Sequence, residues 1–596
     1  MPIAPVDEPQ VSEPMRAPDS ELDLASAARL VQLPRAMHFQ QEANVWLTRL
    51  RERSRKAGVL PIRCGRVQLD YLDALRSLML MTNGRVLADL HLAKSLLELF
   101  PGGNVSIDAG ASAPAFANTI KYLGPQADRI RIKGAVAPSH WKNWFRRGAY
   151  RIKRGISRRR GVNRRFGGSP HAPCVLAIAR TQSHVADMLP VASMLRQRHG
   201  VATVFAVVDR RPTERLHRAG FSTVGLYAGP WSDPVRAAAE ARQLNRRFRR
   251  SWLQEGTRQG SEFGSPQAAA VIETTTQLLT DNLADVLHLA LSLERLLKKL
   301  RPQLVLVGNP YTLEGRVAAF VAAGQNLPSA AMEHGNIFPH SPMWSECPLD
   351  LICAWGQPSA RALQSTGVPS EKIAITGASR YDEVFRRAAA SDRSSTGRTD
   401  ILVATSGAGD QVSLPQHRSF IRMLYEAADL TPDMRWVVKL HNKDREALYE
   451  AENGNHGGHV TFERGRPDRE GMQIFKYLER ARALVTVSSA AALDAMAVGV
   501  PVIAVDVWWP AAGLADVEFL NRGCTRKVHD GKQLAAAARQ TWEGQPSPSD
   551  ACAREYAGEH FANAGHATEA VAETLLALMT SRSAHALAEQ RSGRYR

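Results

Sequence analysis

The stretch Gln303–Gly335, QLVLVGNPYTLEGRVAAFVAAGQNLPSAAMEHG, decides the fold of this 596-residue chain. It contains an apolar strand, a polar loop, a helix, a turn with a proline and a second apolar strand. Ala483–Asp506, ALVTVSSAAALDAMAVGVPVIAVD, follows the same plan about 180 residues later. A strand, a crossover helix and a parallel strand form the unit of an open α/β sheet, whose ligands bind beyond the carboxyl ends of the strands. The two stretches therefore predict two such sheets facing a cleft.

Strands alternate with helices on both sides of a small, polar segment, AAASDRSSTGRT, which is typical of a linker. The fold class predicted is α/β, with two Rossmann-like domains and a mainly helical N-terminal extension. The expected parts are a disordered start (1–20), the helical extension (21–140), a basic amphipathic segment (141–166), the N-terminal domain (167–387), the linker (388–400), the C-terminal domain (401–580) and a tail (581–596).

The composition is that of a globular protein, with 44% hydrophobic and 22% charged residues. Six cysteines are scattered without a paired spacing, which predicts reduced thiols in a cytosolic protein. The N-terminus is acidic and rich in proline, unlike a secretory signal. No run reaches the roughly 18 apolar residues of a spanning helix, so we expect any membrane contact to be peripheral.

The net charge of +18 is concentrated in one segment. Residues 142–165 contain eleven Lys or Arg and no acidic residue, and aromatic residues such as Trp141, Trp144 and Tyr150 are interleaved with them. A basic amphipathic segment with aromatic residues suits an anionic membrane surface. Nucleic acid is a competing partner that we favour less, and a solvated connecting helix is the simplest alternative.

Five elements in order resemble the glycosyltransferase-B superfamily, and most closely its branch with UDP-N-acetylglucosamine 2-epimerase, CDP-glycerol glycerophosphotransferases and capsule polysaccharide transferases. They are the stretch from Gln303, LDLICAWGQPSARALQSTGVPSEKIAITGASRYDEV, ILVATS, VVKLHNKD and VSSAAALDAMAVGVPVI. The resemblance implies a nucleotide-activated sugar or polyol-phosphate donor on the C-terminal domain. It places a glycan or lipid-linked acceptor on the N-terminal domain.

The donor site is expected in the second domain, after the strand ALVTV. Ser488 and Ser489 precede a helix, and their hydroxyls with the free backbone N–H groups could bind a diphosphate. The resemblance implies that Asp494 stands where relatives hold the donor ribose. An ordinary helix cap with a solvated Asp494 is the alternative.

Two further loops of the second domain are candidates for binding the donor phosphate. The resemblance implies that His441 matches the His of a family K-x-H-P motif, with Lys439 adding charge and Asn442 replacing the usual proline. Thr405 and Gly407 lie in the loop TSGAGD, whose glycines allow the backbone to approach a phosphate.

The candidate catalytic base lies in the first domain. His184 follows the strand CVLAIA, where inverting relatives place a His that deprotonates the acceptor, and Asp187 could orient it. Glu314, after VGNPYTL, is the rival base on a neighbouring loop.

Two more motifs point to the cleft. Glu333, His334 and Gly335 end a strand and match a Q-H-G or E-x-G feature of the family, which makes His334 a third catalytic candidate. Arg380 and Asp382 match its T-G-x-x-R-x-D element near the hinge, where they could contact the donor or form an ion pair that fixes the hinge.

The sequence has no D-x-D motif, so we expect no metal and no cofactor, with the leaving group neutralised by helix N-termini, Lys439 and His441. Retaining relatives carry E-x7-E ending at the position of Asp494, and here Thr486 replaces the first Glu. We therefore expect an inverting transferase of surface or capsule polysaccharide synthesis, cytoplasmic and peripheral on the inner face of the membrane. The alternatives are a UDP-sugar 2-epimerase and a non-catalytic scaffold for polysaccharide assembly.

Overall fold

The computed structural model describes residues 22–23, 27, 36–133 and 173–592, with gaps at 59, 61, 65–66, 102–103, 109–112, 209, 228–231, 257–264, 336, 338, 340–342, 345, 391–396, 406, 408–413, 442–443, 445, 453–459, 464–472, 488–489 and 507–517. Residues 1–20, expected to be disordered, the basic segment 141–166, Ser488 and Ser489 lie outside these ranges. Within them, no helix has the length and apolar character needed to cross a bilayer.

The N-terminal extension is mainly helical, as predicted. Its helices are α1 (Ala36–Lys56), α2 (Tyr71–Ala74), α3 (Arg76–Leu99) and α4 (Ala113–Ile120), followed by a 3₁₀ segment, Lys121–Arg129. Five short strands were not predicted, because two to four residues show no usable periodicity. They are β1 (Leu22–Asp23), β2 (Ile62–Cys64), β3 (Val67–Leu69), β4 (Val105–Asp108) and β5 (Ile130–Lys133), arranged as a parallel sheet β1-β4-β5 and an antiparallel pair β2-β3.

The first large sheet has seven parallel strands, as the alternation of strands and helices predicted. They are β6 (Cys174–Ala179), β7 (Ala202–Val207), β8 (Ser222–Gly225), β9 (Leu304–Val307), β10 (Ser329–Met332), β11 (Leu351–Ala354) and β12 (Ile373–Ile375). Their order is β8-β7-β6-β9-β10-β11-β12, so the direction of winding reverses between β6 and β9. Both of these strands are buried along their whole length, which explains their unbroken apolar sequences.

Helices cover both faces of this sheet. They are α5 (Gln182–His199), α6 (Arg210–Arg218), α7 (Ser232–Gly256), α8 (Pro266–Leu300), α9 (Leu313–Ala323) and α10 (Gln357–Ser365), with 3₁₀ turns at Ser370–Lys372 and Ser379–Tyr381. Helix α11 (Asp382–Ala390) follows, and its Val384 and Phe385 pack against the core of the second lobe instead. Phe39 and Leu47 of the extension belong to the same hydrophobic core as Leu176 and Val305 of the sheet. The extension is therefore packed into the first lobe.

The second large sheet has six parallel strands. They are β13 (Asp400–Ala404), β14 (Arg435–Lys439), β15 (Val460–Glu463), β16 (Ala481–Thr486), β17 (Val502–Val505) and β18 (Arg526–Val528). Their order is β15-β14-β13-β16-β17-β18, with the reversal between β13 and β16. The helices of this lobe are α12 (Leu414–Leu430), α13 (Glu446–Glu452), α14 (Gln473–Leu478), α15 (Ala491–Ala497), α16 (Glu518–Asn521), α17 (Gly531–Trp542) and α18 (Pro548–His560).

The last helix, α19 (Ala567–Ser592), returns to the first lobe. Val571, Ala572 and Leu575 are fully buried in one hydrophobic cluster with Val175 and Ala177 of β6. The segment that leads into α19 also presses against two glycines of the first lobe. A Cβ on Gly356 would lie 2.2 Å from the carbonyl oxygen of Glu559, and one on Gly377 would lie 2.0 Å from that of Ala562. Only glycine allows this approach.

The structure corrects one prediction about the cysteines. Cys524 and Cys552, expected as free thiols, form a disulfide between the chain after α16 and helix α18. Their Cα atoms are 4.8 Å apart, although 28 residues separate them in sequence, and such proximity through packing has no local sequence pattern. Cys174, Cys347 and Cys353 are free, in agreement with the prediction.

Candidate active site

The first half of the site lies where β6 ends and α5 begins, beside the point at which the sheet reverses direction. Thr181 caps the helix, because its hydroxyl accepts the backbone N–H of His184 at 3.3 Å. A Cβ on Gly308, at the end of β9, would lie 2.9 Å from the Cβ of His184. The helix therefore lies directly against the neighbouring strand end, and residues 183–187 face the carboxyl edge of the sheet.

A serine, a histidine and an aspartate form a chain of hydrogen bonds at this edge. Nδ1 of His334 lies 2.7 Å from Oδ2 of Asp187, and Nε2 lies 3.3 Å from Oγ of Ser183. Because a carboxylate only accepts hydrogen bonds, Nδ1 carries the proton, and the lone pair on Nε2 of the neutral ring accepts from the Ser183 hydroxyl. His334 is a quarter exposed, whereas Asp187 is buried. The arrangement is that of a general base oriented by a carboxylate.

His184 has a different environment from the one predicted. Its Nδ1 accepts the backbone N–H of Arg180 at 3.2 Å, so the proton of the neutral ring is on Nε2. Asp187, expected to orient His184, contacts His334 instead, because Nδ1 of His184 is occupied by the Arg180 N–H and His334 reaches α5 from the end of β10. The two rings pack edge to face with centroids 4.5 Å apart. Burial, together with the nearby His334, Arg180 and Arg380, holds the pKa of His184 well below its usual range.

Glu314 lies in the first turn of α9 and is completely buried. Its Oε2 is 3.6 Å from Nη1 of Arg180, whose side chain is partly exposed. Glu314 was predicted on a loop next to that of His184, and its carboxylate does lie near the end of β6. It is, however, enclosed by protein in this structure.

Arg380 reaches the same cluster from the 3₁₀ turn that follows β12. Its Nε is 2.7 Å from Oδ1 of Asp187, and its Nη2 donates to the carbonyl oxygen of Ser183 at 3.1 Å. The predicted alternative, an ion pair with Asp382, is wrong. The Asp382 carboxylate instead accepts the backbone N–H groups of Ala567 and Thr568, at 2.9 and 2.7 Å, and so caps helix α19.

Tyr381, which follows Arg380 in the sequence, connects the two lobes. The hydroxyl of Tyr381 donates to Oδ1 of Asp494, in the first turn of α15, at 2.5 Å. Burial, and then the Asp494 charge, raise the pKa of Tyr381 well above its usual value. Tyr381 follows Arg380, so a continuous series of contacts runs from His334 to the helix proposed to hold the donor.

Glu333 is completely buried beside His334. Its two carboxyl oxygens accept the backbone N–H of Trp355 at 2.6 Å and the hydroxyl of Ser359 at 2.7 Å. Burial raises its pKa to about 8, against the opposing effect of these two hydrogen bonds. The residue therefore fixes the end of β10 to the start of α10.

The second half of the site is built around a buried aspartate that was not predicted. Asp444 accepts the backbone N–H of His441 at 2.8 Å and a hydrogen bond from the Thr405 hydroxyl, and its Oδ1 is 2.9 Å from Nε2 of His417. Burial raises the pKa of Asp444, but the hydrogen bonds from His417 and Thr405 outweigh it, and the net pKa is lowered. The network joins the ends of β13 and β14 to helix α12.

The remaining donor candidates surround this network. The His441 N–H also donates to the Thr405 hydroxyl at 2.9 Å, and the partly buried Lys439 ends β14. Gly407 has a φ of 66°, which a side chain would disfavour. The structure thus brings Thr405 and His441 into contact, next to the point at which the second sheet reverses direction.

Five residues of the site escaped sequence reasoning or were given another role. Ser183, Asp187 and Tyr381 stand beside named motifs, so proximity to His184 and Arg380 was the available signal. Asp444 follows His441 by three residues, a usual spacing for a side chain that fixes a turn. His417, within α12, had no signal at all. No group of three or more potential metal-ligating side chains is present in the described parts of the chain.

One comparison with known proteins finds a family match within the second half of the chain. Residues 360–545 match the family described as "Putative glycosyltransferase (DUF6716)". Over these residues the chain is similar to that family, as the resemblance in the sequence implied. No curated protein matches the sequence.

Several solved structures are similar to the chain. UDP-GlcNAc 2-epimerase from Neisseria meningitidis bound to UDP-GlcNAc is 15% identical, with 68% of this chain and 99% of that chain covered and a TM-score of 0.44. The Methanocaldococcus jannaschii epimerase in complex with UDP-GlcNAc and UDP has 12% identity, the same coverage and a TM-score of 0.44. The calicheamicin glycosyltransferase CalG4 has 15% identity, 69% and 99% coverage and a TM-score of 0.43.

Proposed function

We propose that this protein is an inverting, metal-independent glycosyltransferase that uses a nucleotide-activated donor, with His334 as the base. The observation that carries the proposal is the hydrogen bond between Asp187 and Nδ1 of His334, which leaves Nε2 ready to take a proton. The match of residues 360–545 to a glycosyltransferase family supports the transferase class. A polyol-phosphate transferase would use the same groups.

In the proposed reaction, an acceptor hydroxyl replaces the contact that Ser183 makes with Nε2 of His334. Its proton passes to Nε2 while its oxygen attacks the anomeric carbon of the donor and the bond to the diphosphate breaks. Asp187 stabilises the imidazolium that forms. The leaving diphosphate is neutralised at the second lobe by Lys439 and His441, together with Ser488 and Ser489.

His334 suits the role of base better than the other two candidates. Nδ1 of His184 already accepts a backbone N–H, and its Nε2 carries a proton when the ring is neutral. Glu314 is completely buried. Only His334 combines partial exposure with a carboxylate that sets its tautomer.

The donor can be found with a screen of UDP-, CDP-, GDP- and CMP-linked sugars by thermal shift. A donor at about 100 times its dissociation constant should add roughly 2.7 kcal/mol of stability.

The substitution His334→Gln should then abolish turnover of that donor while its binding persists. Conversion of UDP-N-acetylglucosamine to an epimer without acceptor would replace the transferase proposal with an epimerase, and no binding of any donor would favour the scaffold.

We further propose that residues 141–166 hold the enzyme on an anionic, cytoplasmic membrane surface, where it would extend a surface or capsule polysaccharide. The eleven cations of this segment support the proposal. Pelleting with anionic but not neutral vesicles should be lost when Arg158, Arg159 and Arg160 become Glu. Equal binding to both vesicle types would contradict it.

A further inference from the structure

The extension meets the first lobe through a cluster of charged residues, here called the Glu346 cluster: Arg51, Asp73 and Arg76 of the extension, and Glu346 of the loop between β10 and β11. Nη1 of Arg76 lies 2.8 Å from Oδ1 of Asp73 and 3.0 Å from Oε2 of Glu346. Arg51 pairs with the same Glu346 carboxylate and lies 2.7 Å from Asp73. The extension and the loop between β10 and β11 are therefore joined by charge-assisted hydrogen bonds.

A buried arginine of the first lobe extends this contact. Nε of Arg316, on α9, donates to the carbonyl oxygen of Asp73 at 2.5 Å, and Nη1 donates to that of Met343 at 2.7 Å. Arg316 is only 1% exposed, so loss of these hydrogen bonds would leave buried donors of a charged group without partners. The extension and the loop are thus both anchored to the same helix.

The loop that the cluster holds begins at His334. Further along it, the buried Trp344 packs edge to face against Tyr311, which follows β9, with ring centroids 5.2 Å apart. Trp344 therefore lies against the residues that follow β9, at the carboxyl edge of the sheet where His334 also lies. Glu346 itself has a φ of 57°, a left-handed backbone conformation that is unfavourable for a residue other than glycine, and its side chain is paired with both arginines.

We propose that the N-terminal extension positions the loop that carries His334, with Glu346, Arg76 and Arg51 as positioning residues on the acceptor side of the site. The inference rests on the proposed role of His334 as the base. It gives the extension a function within the site, where sequence analysis assigned it no chemistry.

The substitution Glu346→Gln tests the proposal with little risk to the fold. The Glu346 side chain is 38% exposed. When its charge is removed, Arg76 and Arg51 still have Asp73 as a partner. Glu273→Gln is the matched control, because Glu273 also pairs with the extension, at 3.2 Å from Lys121, but away from the loop. Glu346→Asp, which keeps the charge, is the conservative variant.

The first readout does not require activity. Diethyl pyrocarbonate modifies the free nitrogen of neutral histidine, and peptide mapping gives the rate at His334 in the full-length protein. Glu346→Gln should change this rate at least twofold and raise deuterium exchange of residues 333–350 several-fold. Glu273→Gln should do neither, and Glu346→Asp should restore most of the wild-type behaviour.

The second readout separates positioning from binding. With the donor that the screen identifies, Glu346→Gln should lower kcat about fivefold or more while the donor KM stays unchanged. An unchanged His334 rate and loop exchange would overturn the proposal, and so would a loss of protection spread over the whole lobe. If the His334 rate changes but no donor is turned over by the wild-type protein, the proposed function fails while the positioning role stands.

Discussion

Asp187 and His334 are 147 residues apart in sequence, yet Oδ2 of one lies 2.7 Å from Nδ1 of the other. The contact exists because α5 begins at the end of β6 and His334 follows β10 at the same edge of a parallel sheet. It defines the tautomer of His334 and therefore what the ring can do.

Asp187→Asn should remove this control of the tautomer. An amide can donate to Nδ1 and leave the proton on Nε2, so transfer from the acceptor fails, and we expect kcat to fall by about 10²- to 10⁴-fold. Steady-state turnover of the identified donor measures this fall in kcat, and we expect the binding of the donor to be unchanged. Asp350→Asn is the control, because that carboxylate accepts the Ser329 N–H at the opposite edge of the sheet. Equal loss in both variants would contradict the prediction.

Glu333→Gln should change the pH dependence of stability. The pKa of Glu333 is raised by burial to about 8, so the folded protein holds a proton that the unfolded chain releases near pH 4.5. Its contribution is fully present below about pH 4.5 and is lost as the pH rises towards 8, by up to about 1.4 kcal/mol per pH unit. Urea unfolding between pH 5 and 9 should show a smaller decline for the Gln variant. Parallel curves would show that Glu333 ionises normally.

Asp444→Asn should loosen the donor half of the site. Its pKa is lowered, so the ionised carboxylate stabilises the fold above its unfolded pKa, near 3.8, and this stability is lost as the pH falls through its lower folded value. At neutral pH the substitution should cost roughly 1.5–3 kcal/mol and weaken binding of the donor nucleotide about tenfold or more. Calorimetry with the nucleotide and urea unfolding provide the measurements.

The matched control for this variant is Asp433→Asn, in the same lobe. Asp433 pairs with Arg539 at 2.5 Å on the surface, and we expect no measurable change in nucleotide binding. Similar weakening in both variants would show that Asp444 acts only through general stability.

Gly356→Ala should disturb the junction of the two lobes. The new Cβ would lie 2.2 and 2.4 Å from the carbonyl oxygens of Glu559 and His560, and backbone cannot move aside as a side chain does. We expect the free energy of unfolding to fall by about 1–3 kcal/mol. Gly558→Ala, in α18 beside Glu559 but with nothing within 4 Å of its Cβ, should be neutral or slightly stabilising. Thermal unfolding of the two variants side by side decides the matter.

Sequence reasoning identified the sheets because their strands are buried on both faces and their connecting helices are regular. It also named His184, His334 and Arg380, which the structure brings together at one edge of the first sheet, since strand ends converge there. It could not assign Asp187 to His334, because the spacing of His184 and Asp187 on one helix suggested a local pair. The partners of Asp444 come from three elements, and only their packing brings them together.

The return of α19 to the first lobe affects how the protein is made. Val571 and Leu575 complete the hydrophobic cluster on one face of β6, yet they are synthesised after the entire second lobe. Most multidomain chains fold from the N-terminus onwards as they leave the ribosome. Here the lobe translated first keeps apolar surface uncovered until the final segment emerges. A chain stalled shortly before residue 567 should therefore remain open to chaperones and proteases, even though both of its large sheets are already complete.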